Sequence, residues 1–135
     1  MTQNIVFDSY ALLVLFRQEH GHETISHLLT DIAMGEKHGF MSVVNVGEVY
    51  YITARKQDEK RAQVALDSLK QFPLEFVEAD IHLSLAAAKL KAKYKMSYAD
   101  AFAAALTIAK KGTLITGDKE FKHLVGETNF KVEFI

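Results

Sequence analysis

The chain has 135 residues, 49% of them hydrophobic and 24% charged, with one proline and no cysteine. That length suits one domain, residues 1–135, able to bury roughly two thirds of its unfolded surface, and the missing cysteines exclude a disulfide framework, a cysteine zinc site and a thiol nucleophile. Sixteen Lys and Arg against seventeen Asp and Glu leave a net charge of −1, so the chain lacks the global basic footprint of many nucleic-acid binders. The opening Met1-Thr2-Gln3-Asn4 has no basic n-region or long apolar run, and no later stretch would span a bilayer. A soluble, cytoplasmic protein without a membrane partner is expected.

In chain order, Ile5-Val6-Phe7 reads as a short strand ending at Asp8, and Ser9 to Arg17 as a helix broken by Gly21. A second helix is expected from about Glu23 to Lys37, closed by Gly39, before a strand at Phe40-Met41-Ser42. Asn45 to about Lys56 is helical, and Asp58-Glu59 opens a further helix with acids in its first turn, stopped by Pro73. Leu74 to Val77 alternates like a strand. Asp80 starts a helix reaching Tyr94, and Ser97 starts an alanine-rich one reaching Lys110-Lys111, terminated by Gly112. Thr113 to Thr116 is a buried-type strand, Gly117-Asp118 leads into a short helix through Leu124, and Phe130 to Phe134 forms the last strand. Short apolar strands separated by helices predict a three-layer α/β/α domain around a mainly parallel sheet of about five strands.

Ligands of open parallel sheets bind beyond the carboxyl ends of the strands. Four acids with apolar or small neighbours fall there: Asp8, Glu48, Asp100 and Asp118. Each has a local explanation. Asp8 and Asp118 are placed to cap helices, and Asn45-x-x-Glu48 and Ser97-x-x-Asp100 read as capping boxes. Together they form a set of like charges that repel one another and resist burial. A hard divalent cation such as Mg²⁺ or Mn²⁺ relieves that repulsion and suits phosphodiester hydrolysis. Thr116 and Ser9 could each donate a hydroxyl hydrogen bond to a carboxylate, with turn capping as the plainer alternative.

These motifs resemble the PIN-domain endoribonucleases, specifically the VapC-type toxins of toxin–antitoxin pairs. The resemblance rests on Asp8-Ser9 after the first strand, Asn45-x-x-Glu48-Val49, Ser97-Tyr98-Ala99-Asp100-Ala101-Phe102 and Leu114-Ile115-Thr116-Gly117-Asp118-Lys119-Glu120-Phe121. It implies that Asp8, Glu48, Asp100 and Asp118 form a Mg²⁺ or Mn²⁺ site, with Asp8 and Asp100 central and Thr116 as supporting hydroxyl. It also implies an RNA substrate, a cognate VapB-type antitoxin and a homodimer. Tyr10 departs from the pattern, because that position is often small or an amide in the family.

Other readings are weaker. His20-Gly21-His22 and His27 lack the spacing of a zinc site. Neither a G-x-S-x-G elbow nor a phosphate-binding glycine loop is present. Lys89, Lys91, Lys93 and Lys95 alternate by two on a helix and read as a solvated face, while Arg17, Arg55 and Lys119 are candidates for RNA-backbone contacts. Leu12, Phe16, Leu28 and Leu29 would form an antitoxin groove or else face the core. A catalytically idle binding module and a metal-dependent nuclease acting on DNA remain as alternatives.

Overall fold

The computed structural model describes residues 2–127 and 129–135. Five strands, β1 (Gln3–Phe7), β2 (Lys37–Ser42), β3 (Glu75–Val77), β4 (Thr113–Thr116) and β5 (Lys131–Phe134), form one sheet in the order β3-β2-β1-β4-β5. Every adjacent pair is parallel. The six α-helices are α1 (Ser9–Arg17), α2 (His22–Ala33), α3 (Val43–Lys56), α4 (Glu59–Lys70), α5 (Ile81–Lys93) and α6 (Tyr98–Ala109), and a 3-10 helix spans Lys119–Leu124.

The pleat divides the core in two. Side chains alternate across a strand, so Ile5 and Phe7 of β1, Met41 of β2 and Ile115 of β4 pack with α1 to α4 on one face. Val6, Leu114 and Phe40 pack on the other, with α5, α6 and the 3-10 helix. Both faces being covered explains why the buried stretches Ile5-Val6-Phe7 of β1 and Leu114-Ile115 of β4 are continuous apolar runs. The architecture is the expected three-layer α/β/α sandwich. Helix α6 is buried along Ala101–Thr107, its alanines letting the backbone approach the sheet closely. Gly112 allows the same closeness at the entry to β4, where a Cβ would come 2.6 Å from the Asn4 carbonyl oxygen.

Several boundaries differ from expectation. Helix α2 ends at Ala33 rather than Lys37, which instead begins β2. Gly35 takes φ +81°, and the amides of Gly35 and Glu36 bond to the carbonyls of Ile32 and Asp31. This is a Schellman closure, which fixes the stop. Helices α1 and α6 close the same way on non-glycine residues, Gln18 and Lys111, so neither Gly21 nor Gly112 is the terminator. Helix α3 begins at Val43 with Ser42 as its N-cap, accepting from Val44 N–H, so Asn45 is not a cap.

Of the four residues weighed for a groove on the first two helices, three take the core alternative. Leu12, Leu28 and Leu29 are buried in the core, and the half-buried Phe16 stacks on Phe72 at 5.9 Å. The periodicity of the three leucines reflects packing in the core, whereas Phe16 also lines a cleft between α1 and the α3–α4 pair. Among the described residues no helix is long and apolar enough to cross a membrane.

Candidate active site

The chain lays β1, β2 and β3 in one direction and then β4 and β5 on the other side of β1, so the connections diverge between β1 and β4. A crevice opens at the carboxyl ends of strands on either side of such a switch. Phe7 pairs with Ile115 in register, which brings the next residues, Asp8 and Thr116, level across it. Thr116 Oγ1 donates to Asp8 Oδ2 at 2.5 Å, while Asp8 Oδ1 accepts from Ala11 N–H at 2.9 Å as the N-cap of α1. Capping and site placement therefore coexist in one carboxylate. Thr116 Oγ1 also accepts from the Asp118 amide at 3.0 Å, and Asp118 caps the 3-10 helix through Glu120 N–H.

The other acids arrive on helix starts. Asp100 lies in the first turn of α6, where the Ser97 hydroxyl accepts from its amide. Glu48 lies one turn into α3, and its Oε1 accepts from Ser9 Oγ at 2.8 Å and Asn45 Nδ2 at 3.0 Å. The capping-box reading of Asn45 and Glu48 is thus replaced by a side-chain clamp. Asn45 is fully buried, and its Nδ2 also donates to the Ala99 carbonyl at 3.2 Å, tying α3 to the start of α6. Two acceptors facing one nitrogen fix the amide orientation. Ser9, expected beside Asp8, serves Glu48 instead.

The site is electrostatically loaded. Burial, the largest effect, pushes Asp8 up to about 7; the negative charges of Asp100 and Asp118 raise it further, while its bonds to Thr116 and Ala11 pull it down. Asp100 is also raised to about 7, first by burial and then by Asp118, Glu48 and Glu120. All four acids expected from the sequence therefore share one electrostatic region. Glu120 is an addition: carboxylate oxygens of Asp100, Asp118 and Glu120 lie within 4.8 Å of one another, the spacing of ligands around one ion. Its signal was an acid two residues after Asp118, inside a motif dominated by its apolar neighbours.

Among the described residues no group with metal-ligand spacing includes a histidine. Lys89, Lys91, Lys93 and Lys95 are exposed, as a solvated face requires. Arg55 lies over the Tyr51 ring, and Lys119 is exposed beside Asp118.

The PIN domain family model matches residues 5–127. The chain belongs to the PIN-domain family. No curated protein sequence matches it. Its fold is shared with VapBC2 from Rickettsia felis, solved with a fragment of promoter DNA (TM-score 0.76, 17% identity, 98% of this chain and 99% of that one). DNA-bound VapBC from Salmonella typhimurium is similar too (TM-score 0.74, 13% identity, 99% and 98% covered). So is VapC20 of Mycobacterium tuberculosis, a toxin that cleaves the sarcin–ricin loop (TM-score 0.70, 16% identity, 90% and 95% covered). PIN domains of this kind are nucleases, and the acidic cluster lies at the carboxyl ends of the strands beside the switch point.

Proposed function

We propose that this PIN domain is a divalent-metal-dependent endoribonuclease of the VapC toxin type. The observation that carries the reading is the convergence of acids from separate elements at the sheet's switch point, two of them held near 7 by burial and mutual repulsion. An all-oxygen donor set fits a hard cation such as Mg²⁺ or Mn²⁺. Asp100, Asp118 and Glu120 are at ligand spacing, while Asp8 and Glu48 lie outside that trio and border it in the same acidic region. Bound there, the ion would polarise a scissile phosphate and offset the charge that develops on it.

The protein's own groups do the positioning. Thr116 and the Ala11 amide aim the Asp8 carboxylate, and Ser9 and Asn45 aim Glu48, so neither needs to reorganise when substrate arrives. Lys119, exposed beside Asp118, is placed to pair with a phosphate of the RNA backbone. A VapB-type antitoxin as inhibitor is in keeping with the structural neighbours, several of which are VapBC assemblies. A homodimer is supported by the exposed apolar residues Ile81 and Leu85 on one face of α5, with Tyr98 held beside them by its hydroxyl bond to the Ser84 carbonyl.

The test incubates the purified protein with total RNA and with single-stranded DNA in Mg²⁺, Mn²⁺ or EDTA, and maps the cuts. Wild type should cleave RNA only with metal, and Asp8→Asn or Asp100→Asn should lower the rate at least about 100-fold, the scale of losing a metal ligand or its support. Cleavage that survives EDTA, or is unchanged in both variants, overturns the metal-site mechanism. Cleavage confined to DNA overturns the substrate assignment.

A further inference from the structure

Tyr10 is the one residue of the first motif that departs from the family pattern. The fold gives it an unusual place. Its ring packs against Gly117, where a Cβ would meet ring carbons at 2.2, 2.7 and 2.8 Å. Gly117 separates Thr116, the partner of Asp8, from Asp118, so the ring forms a wall of the acidic crevice. It is nevertheless 46% exposed. Large aromatic surface left in water beside a reaction centre is a ready stacking face for a nucleobase.

The ring also heads a cleft of about 260 Å³ running along α1, lined by Tyr10, Leu13, Val14, Arg17, Glu19 and Lys56. Tyr10, Leu13, Val14 and Arg17 follow the i, i+3, i+4, i+7 spacing of one helix face, placing Arg17 about 10 Å along the axis from Tyr10. Arg17 Nη2 is buried and has no hydrogen-bond partner among the described residues. The guanidinium thus has unused donors, and a phosphate oxygen is an acceptor whose geometry suits their fork once the side chain turns into the cleft. Lys56 adds a second positive charge from the end of α3, and Glu19 is the one acid in the cleft.

Resting on the nuclease reading above, we propose that this cleft is a nucleotide subsite beside the cleavage point: Tyr10 stacks on a base of single-stranded RNA, and Arg17 and Lys56 hold the phosphate beyond it. Tyr10 is thereby a positioning and specificity residue for this chain. A strand is favoured over an acidic peptide as occupant because the cleft begins at Tyr10, whose ring packs on Gly117 between Thr116 and Asp118, and carries Arg17 and Lys56 further along.

The experiment measures steady-state cleavage, with Mn²⁺, of an RNA oligonucleotide spanning the mapped cut, and of versions with one abasic nucleotide at each flanking position. Wild type should lose roughly 5- to 100-fold in kcat/KM at one flanking position, the scale of a base–aromatic stack. Tyr10→Ala should show that loss already, mostly in KM, and become indifferent to the abasic site. Tyr10→Phe should keep wild-type behaviour, which separates stacking from misfolding. Arg17→Gln and Lys56→Gln should raise KM and flatten its salt dependence. If wild type cleaves but Tyr10→Ala matches it in KM and in abasic sensitivity, the subsite is overturned and the nuclease stands. The subsite is equally overturned if the cleft variants affect only binding of a protein partner. If wild type cleaves no RNA, both readings fall.

Discussion

Asp100 shows how a site residue can work against its own fold. Its carboxyl titrates near 7 because burial and three neighbouring acids oppose its charge, whereas in the unfolded chain it ionises near 3.8. A folded-state pKa above the unfolded value means the folded chain holds more protons between those limits, so stability is fullest below about 4 and declines as pH rises through about 7. Asp100→Asn keeps the shape and removes the charge. Without metal, the variant should melt above wild type at pH 8 by a few degrees and with little difference near pH 4, while cleaving RNA far more slowly. Scanning calorimetry in EDTA at the two pH values checks this. Equal melting temperatures at pH 8 would show that the carboxylate is not strained in the fold. Glu120 belongs to the same balance as one of the acids raising Asp100.

At the scale of elements, the site depends on how α3 and α6 are locked together above the switch point. Asn45, fully buried, spans them through Glu48 and the Ala99 carbonyl. Asn45→Ala would remove both bonds, one of them to a carboxylate, from a fully buried position, which costs about 1–3 kcal/mol. Urea unfolding should show a loss of that size with an unchanged m value, and Ser42→Ala at the cap should cost a further ~1 kcal/mol. The sequence showed the elements themselves well, since β1 and β4 are apolar runs ending at Asp8 and just before Asp118, and the amphipathic helices lie between them. It misplaced the start of α3, because Val43-Val44 reads as a strand continuing β2 until Ser42 is seen to cap. It placed the end of α2 too late, because Gly35 was hidden among polar residues that continue a helical pattern. Asp8 and Asp118 were legible as polar residues at strand exits, and Glu48 and Asp100 as acids in apolar or small company near helix starts. Glu120 and the seat of Tyr10 on Gly117 were not: the first arises from a 3-10 turn, the second from contact between distant segments, and neither leaves a periodic trace.

For the molecule as a whole, the near-zero net charge conceals a segregated distribution. The acids gathered at the switch point account for several of the negative charges, and the remaining residues are net positive, with Lys119 beside Asp118 and with Arg17 and Lys56 in the cleft that leads away from Tyr10. A cation seated among the acids would make the centre attract anions, so a net charge of −1 is compatible with the proposed RNA substrate. The same arrangement couples ion binding to folding. Protons and the cation compete for Asp8 and Asp100, whose pKa values sit near 7, so acid should displace the ion. An ion present at 100 times its Kd stabilises the fold by about 2.7 kcal/mol, and Mn²⁺ should therefore raise the melting temperature clearly at pH 8. At pH 5 both groups are mostly protonated, the apparent Kd is weaker, and the increase should shrink towards zero. Thermal melts of wild type with and without Mn²⁺ at the two pH values measure this directly. A shift of the same size at pH 5 and pH 8 would place the ion elsewhere, away from the two carboxylates that the fold holds near neutrality.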